Sequence, residues 1–402
     1  MKTAKIAFLG GIYPNDTEKI QKDSKVSLDY AADAYQKKYI HCLKRIEHEN
    51  LTVFSAMFMG NWPINSKKIK IDYKENIENL NFIQYINVLG IRNISKVNHC
   101  IHDVSAWIEN SKEKENLILI VYSAGFSDEI IKLKKKYSFL KIILILPDLP
   151  KFTYLSSNNK LRKQIVNYRQ KKFEKSCHYI ERCICITAEM KKYVEKSCDV
   201  GCTIIEGLAD LKRCEYNLAR IENMKSSDVK KIFYSGTLAK KYGIVDLIDT
   251  FMMYKNEKCE LIICGDGDAR NYLLEMCEKD KRIKYLGLLP NEEIKHMQDN
   301  ADVLINPRKP TDEYTAYSFP SKTMEYLESG NPVISYSLPG IPEEYNQFLC
   351  IPKDMTSQSL IDNFDKCLNM SIEDRKKTGK RNLKFIVENK CGTSLEALIK
   401  KM

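Results

Sequence analysis

The chain has 402 residues, 44% of them hydrophobic and 29% charged, which is more than one core usually holds and sets two domains as the expectation. No run of 18 apolar residues occurs, which argues against a transmembrane helix, and the apolar part of "MKTAKIAFLGG" is too short for a signal peptide. The net charge of +11 calls for an anionic partner, but no nucleic-acid-binding motif accompanies it, so nucleic acid is not expected.

Read in order, "KIAFLGG" is a first strand, followed by a polar loop at 13–27 and the helical "LDYAADAYQKKYIHCLKRIEHE". Then come "LTVFSAMFM" and "NFIQYINV" as strands, a helix near "NHCIHDVSAWIE", and the strand "NLILIVYSA". A helix through "SDEIIKLKKKY" leads to the strand "KIILILPDLP", a basic helix, "RCICIT", a short helix and "CTIIEG". Short continuous runs of Ile, Leu and Val between helices indicate buried parallel strands, and hence a doubly wound α/β domain over 1–207. The pattern lapses at 208–229, expected as a linker, and restarts with "KKIFYSG" for a second domain of the same kind over 230–381. Residues 382–402 end in the amphipathic "TSLEALIKKM", a helix expected to cross back to the first domain.

Fourteen cysteines lie scattered, many in apolar runs, as reduced thiols in a cytoplasm do. The densest group, Cys183, Cys185, Cys198 and Cys202, follows no standard zinc spacing, so no metal site is expected. The run "NNKLRKQIVNYRQKKFEKS" at 158–176 reads as a surface helix covering its own domain, with an acidic membrane face as the alternative.

In open α/β sheets, ligands bind beyond the carboxyl ends of strands. In the second domain those ends carry "YSGTLAKKYG", with Gly236, Thr237, Lys240 and Lys241; "ICGDGDARNYL", with Gly265; and "INPRKPTDEYTAYSFPSK", with Arg308 and Lys322. The last runs into "YSFPSKTMEYLESGNPVISYS", a short helix in which Ser318 or Ser321 is the cap, Gly330 the stop and "PVISYS" the next strand. Ser321 and Glu325 share one helix face roughly 6 Å apart along the axis, so the helix mouth offers N–H groups to an anion and the Glu lies one turn deeper. The first domain contributes Gly10 and Gly11 in "FLGGIYPND" and Asp148 in "ILPDLP".

The ordered series "YSGTLAKKYGIVDLI", "ELIICGDGD", "IKYLGLLPNEEI", "ADVLINPR" and "YSFPSKTMEYLESGNPVI" resembles the donor half of glycosyltransferase family 4, a GT-B family that includes bacterial group 1 glycosyltransferases. "IIEGLAD" resembles bacterial members of the group, and "FLGG" and "LPDLP" carry the likeness in the first domain. The resemblance implies a GT-B fold, two Rossmann-like domains facing across a cleft. It also implies a retaining transfer from a nucleotide diphosphate sugar, expected to be a UDP-sugar, by same-face attack with no covalent enzyme carboxylate. The family's paired glutamates stand eight positions apart; Glu325 matches the second, which holds the ribose, and Tyr317 stands where the first would be. Thr237 replaces the Arg expected beside Gly236, leaving Lys240 or Lys241 to grip the diphosphate. Donor binding is thus expected of Gly10, Gly11, Gly236, Thr237, Lys240, Lys241, Gly265, Arg308, Tyr317, Ser318, Phe319, Ser321, Lys322 and Glu325. Lys241, Glu325 and Asp148 are the catalytic candidates, Asp148 as an acceptor-side base or orienter, or else a loop cap. Leaving-group charge met by lysines and helix N–H groups needs no metal or other cofactor. The expected acceptor is a glycan or lipid-linked glycan of surface polysaccharide or glycoconjugate synthesis, reached from the cytoplasm at the inner face of an anionic membrane. A sugar-nucleotide epimerase and a non-catalytic binding subunit remain the alternatives.

Overall fold

The computed structural model describes residues 4–47, 51–75, 77–112, 116–152 and 160–402. Residues 48 and 49 of the long helix, and 158 and 159 of the basic run, lie outside the described residues. The chain divides into two units, Met1–Leu208 with Ser394–Met402, and Ala209–Thr393.

In the first unit, strands β1 (Lys5–Gly10), β2 (Leu51–Ser55), β3 (Leu80–Phe82), β4 (Leu117–Tyr122), β5 (Lys141–Leu146), β6 (Arg182–Cys185) and β7 (Cys202–Ile204) form one sheet in the order β3-β2-β1-β4-β5-β6-β7. Every pairing is parallel. The central β4, "LILIVY", is buried at all six positions, as a strand covered by helices on both faces must be. The order reverses between β1 and β4, which places the topological switch point, where ligands of such sheets bind, beyond Gly10 and Tyr122.

Two local expectations are corrected here. The polar loop at 13–27 contains a helix, Thr17–Asp23, started by the Asp16 carboxylate accepting from the Lys19 N–H at 3.2 Å. The run "NFIQYINV" is two pieces. Leu80–Phe82 joins the large sheet, whereas Tyr85–Ile86 pairs antiparallel with Lys70–Ile71. The basic helix runs Lys160–Cys177 as a surface helix and, among its described side chains, buries Gln170, Phe173, Ser176 and Cys177, all in its second half.

The second unit holds β8 (Lys230–Ser235), β9 (Cys259–Cys264), β10 (Ile283–Tyr285), β11 (Val303–Asn306) and β12 (Val333–Ser335), all parallel, in the order β10-β9-β8-β11-β12. The first four strands of each parallel sheet thus take the same relative order, 3-2-1-4 by sequence. The stretch 208–229 is not an open linker: helix Leu211–Glu222 belongs to the second unit and packs on helices Ile372–Asn389 and Ser321–Glu328. Its apolar pattern lapses because the face it buries includes Arg213 and Asn217 beside Cys214 and Ile221. The C-terminal region is likewise two helices, Ile372–Asn389 in the second unit and Thr393–Lys400, whose Leu395, Leu398 and Ile399 join the first unit's core. Among the described residues no helix is long and apolar enough to cross a membrane.

Candidate donor site in the second unit

β8 ends at Ser235 and β9 at Cys264, and the loops beyond them touch. The Gly236 N–H donates to the Cys264 carbonyl at 3.1 Å. A Cβ on Gly265, whose φ is +135°, would stand 1.8 Å from the Gly236 carbonyl oxygen, so only glycine allows this approach. The next turn, Lys240–Tyr242, is fixed twice. Asp268 accepts from the Lys240 N–H at 2.8 Å, and Gly243, at φ +78°, lies so close to the Pro307 carbonyl that a Cβ would be 2.2 Å from it. That contact brings the turn to the segment after β11, where Arg308 stands.

Arg308 lies over the Tyr242 ring at 4.1 Å and near the Tyr314 ring at 5.7 Å, and the Lys241 ammonium is 5.3 Å from the centre of each of those rings. The Nε of Arg308 is buried and has no hydrogen-bond partner among the described residues, and the same holds for the Tyr314 hydroxyl. Burial pushes the Tyr314 phenol up to about 12, with Arg308 acting in the opposite sense. Two cations therefore share one aromatic shelf.

The helix Ser321–Glu328 starts without a side-chain cap. Pro320 holds the N-cap position, so neither Ser318, two residues before it, nor Ser321, already the first helical residue, caps the helix. The positive end of the helix is thus open to an acceptor from outside the protein. One turn in, the Lys322 ammonium donates to Glu325 Oε2 at 2.7 Å, with both side chains about a quarter exposed. Tyr326 ties the helix to the end of β8: its buried hydroxyl accepts from the Ser235 N–H at 3.1 Å and donates to the Ser235 carbonyl at 3.3 Å. Below it, Arg213 donates to the Glu325 carbonyl at 3.2 Å and to Asp299 at 2.7 Å, and lies 3.7 Å from Glu328. Lys322 also acts on the buried Cys264 thiol; burial pushes that thiol up to about 12 and the lysine opposes it.

Twelve of the expected donor-site residues thus lie in the second unit, on loops after β8, β9 and β11 and on the helix they lead to. Thr237, Lys240 and Lys241 are exposed, Arg308, Tyr317 and Ser318 are half-buried, and Phe319 is buried against Tyr345 with ring centres 5.5 Å apart. Gly10, Gly11 and Asp148 belong to the first unit. The Gly11 N–H is taken by Gln36 Oε1 at 2.7 Å, and Gly11 packs against the Phe58 ring. Asp148 is exposed after β5, and its charge, with that of Glu206, raises the Tyr35 phenol already lifted by burial. Asp266 and Asp268 serve as loop acceptors, for the Gly267 and Lys240 N–H groups. Away from these loops, Cys183, Cys185 and Cys202 hold their sulfurs within 4.8 Å of one another, on adjacent strands β6 and β7. Sequence reasoning missed Tyr242, Tyr314 and Tyr326. The aromatics in "KKYG", "DEYTAY" and "MEYL" were the available hint, but only tertiary contact gives them partners.

The family described as glycosyl transferases group 1 matches residues 217–385. Over 139 residues the chain is 28% identical to an uncharacterized glycosyltransferase of Methanocaldococcus jannaschii, an alignment spanning 32% of this chain and 34% of that protein. About a third of that relative's length is therefore matched. Among solved structures, sucrose-phosphate synthase from Thermosynechococcus elongatus gives a TM-score of 0.63 at 12% identity, covering 99% of this chain and 98% of the other. HepE of Anabaena in complex with UDP gives 0.61 at 12% identity with the same coverage. At such identities the likeness speaks for fold. The chain has the GT-B fold, and its residues 217–385 match the glycosyl transferases group 1 family.

Proposed function

We propose that this protein is a retaining glycosyltransferase of the family 4 type, moving a sugar from a nucleotide diphosphate sugar, specifically a UDP-sugar, to a glycan or lipid-linked acceptor. The observation that carries the reading is the grouping, at the carboxyl ends of one parallel sheet, of an uncapped helix N-terminus, the Lys322–Glu325 pair and the Arg308–Lys241 shelf. A nucleoside diphosphate needs those three things: N–H groups and cations for the phosphates, and a carboxylate for ribose hydroxyls. The complex of the Anabaena structure with UDP supports the choice of nucleotide.

In this reading Glu325 accepts from the ribose, held in place by Lys322 and by Arg213 beneath it. The helix mouth at Ser321 and Lys322, with Lys240, Lys241 and Arg308, meets charge that grows on the diphosphate as the glycosyl bond breaks, and that lowers the barrier. Tyr317 occupies the place of the first family glutamate, so donor sugar hydroxyls meet a phenol there. Asp148, in the first unit, orients the acceptor. Surface polysaccharide or glycoconjugate synthesis on the cytoplasmic side of a membrane is the setting.

The test is a panel of nucleotide sugars with glycan and lipid-linked acceptors, following both nucleotide release and sugar transfer. Acceptor-dependent release of UDP is expected. Interconversion of the sugar without transfer would make the protein an epimerase, and binding without turnover across the panel would make it a binding subunit.

A further inference from the structure

In the first unit, six large aliphatic side chains stand 43–64% exposed within a short span of chain: Ile64, Ile69, Ile86, Leu89, Ile91 and Ile94. Backbone contacts bring their segments together. The strand Lys70–Ile71 pairs with Tyr85–Ile86, the Asn87 N–H donates to the Ile69 carbonyl at 2.6 Å, and Trp62 bridges to Val88. The Arg92 guanidinium donates to Asn61, and the Ile86 N–H donates to Ser95 Oγ at 3.0 Å, which fixes the first turn of helix Arg92–Glu109 beside the pair. Scattered single aliphatics on a surface are ordinary, but six in one patch are not.

The two segments that carry the patch bear positive charges only. Residues 60–71 contain Lys67, Lys68 and Lys70 and no Asp or Glu; residues 84–98 contain Arg92 and Lys96 and again no carboxylate. Lys25 reaches the same rim, its ammonium donating to the Pro63 carbonyl at 2.7 Å. Only two of these cations meet a carboxylate among the described ion pairs, Lys68 with Asp23 at 3.6 Å and Lys96 with Glu129 at 3.8 Å. An apolar face bordered by the exposed Lys67 and Lys70 is complementary to a bilayer with anionic headgroups: aliphatic side chains enter the acyl boundary while lysines stay among phosphates. The basic helix Lys160–Cys177 has the charge but no matching apolar face; Ile165 and Tyr168 are its exposed large apolar side chains among the described residues.

We infer that this face of the first unit docks on an anionic lipid surface. The inference rests on the reading of a lipid-linked acceptor, and it places the protein where such an acceptor is anchored. The segments that carry the patch follow β2 and β3 in the chain.

The test uses the full chain with vesicles of phosphatidylcholine alone and of phosphatidylcholine with phosphatidylglycerol. Cosedimentation should occur with the anionic vesicles and weaken as salt is raised. Ile64→Asp with Ile94→Asp, and separately Lys67→Glu with Lys70→Glu, should each weaken it by about tenfold or more. All four positions are exposed, so the melting temperature should stay within a few degrees, and UDP affinity by calorimetry should not move. No preference for anionic vesicles, or unchanged binding by both variants, overturns the proposal. So does self-association without lipid that the Ile64/Ile94 variant abolishes, since the occupant would then be a second copy. Failure of the wild-type chain to bind any nucleotide sugar would instead strike the donor-site reading and leave the vesicle result standing.

Discussion

Glu325 is held from both sides, its carboxylate by Lys322 and its backbone carbonyl by Arg213, so its position does not depend on a bound nucleotide. Glu325→Ala should weaken UDP binding by about 1.5–3 kcal/mol, the worth of a charged hydrogen bond, and should leave the melting temperature nearly unchanged because the side chain is partly exposed. Calorimetric titration with UDP checks this, and equal affinity in wild type and variant removes Glu325 from the site. Arg308 differs, because a planar guanidinium over Tyr242 with a buried, unpartnered Nε cannot be replaced by an ammonium. Arg308→Lys should therefore lose turnover along with affinity; full activity in that variant would place the diphosphate elsewhere. Fixed cations at the leaving group also imply that turnover persists in excess EDTA. Loss on chelation with rescue by Mg²⁺ or Mn²⁺ would replace this account with a metal-assisted one.

At the scale of elements, the helix Ser321–Glu328 is placed by helix Leu211–Glu222 through Arg213, which is 6% exposed and also reaches Gln298 and Asp299. Arg213→Ala would leave Asp299 and Glu328 as buried carboxylates without their cation, a loss of about 3–5 kcal/mol. Urea unfolding should show it, and UDP affinity should fall as well, because the Glu325 carbonyl loses its donor. A variant as stable as wild type would mean that the network does not set the helix. This helix also marks how far the sequence was legible. Strands such as "LILIVY" and "ELIIC" announce themselves through burial on both faces, and Gly236 and Gly265 through their place at strand ends. Leu211–Glu222 could not be found that way, because half of its buried face, Arg213 and Asn217, is polar. "NFIQYINV" hid a change of sheet, since an apolar run does not say which neighbour it pairs with. The Arg308 shelf was unreadable for a related reason: Tyr242 and Tyr314 lie 72 positions apart and meet only through the fold.

For the whole molecule, the connectivity matters most. The chain leaves the first unit after Leu208 and returns at Ser394, so the second unit is an insertion with two covalent crossings. The crossings are neighbours, since the Ala209 N–H donates to the Lys390 carbonyl at 2.8 Å. What the returning chain supplies is core: Leu395, Leu398 and Ile399 are buried in the cluster with Tyr39, Leu43 and Ile120, and the Lys141 ammonium donates to the Met402 carbonyl. At about 1.5–3 kcal/mol for each buried aliphatic, these three account for roughly 4–9 kcal/mol, comparable to the total stability of an ordinary domain. A cut at 386 would be ambiguous, because Ile386 is fully buried in the helix that packs on Leu211–Glu222 and Ser321–Glu328. Removing 393–402 avoids that helix. Such a protein should keep UDP affinity within about twofold, since every donor candidate of the second unit lies outside the damaged core, while sugar transfer collapses and calorimetry shows a destabilised first-unit transition. Leu398→Ala should give the same pattern in milder form, at about 2–5 kcal/mol. If the shortened chain melts and transfers sugar as the full one does, the last helix is not part of the first unit's core in solution; if it loses UDP affinity first, the two units do not hold their functions separately.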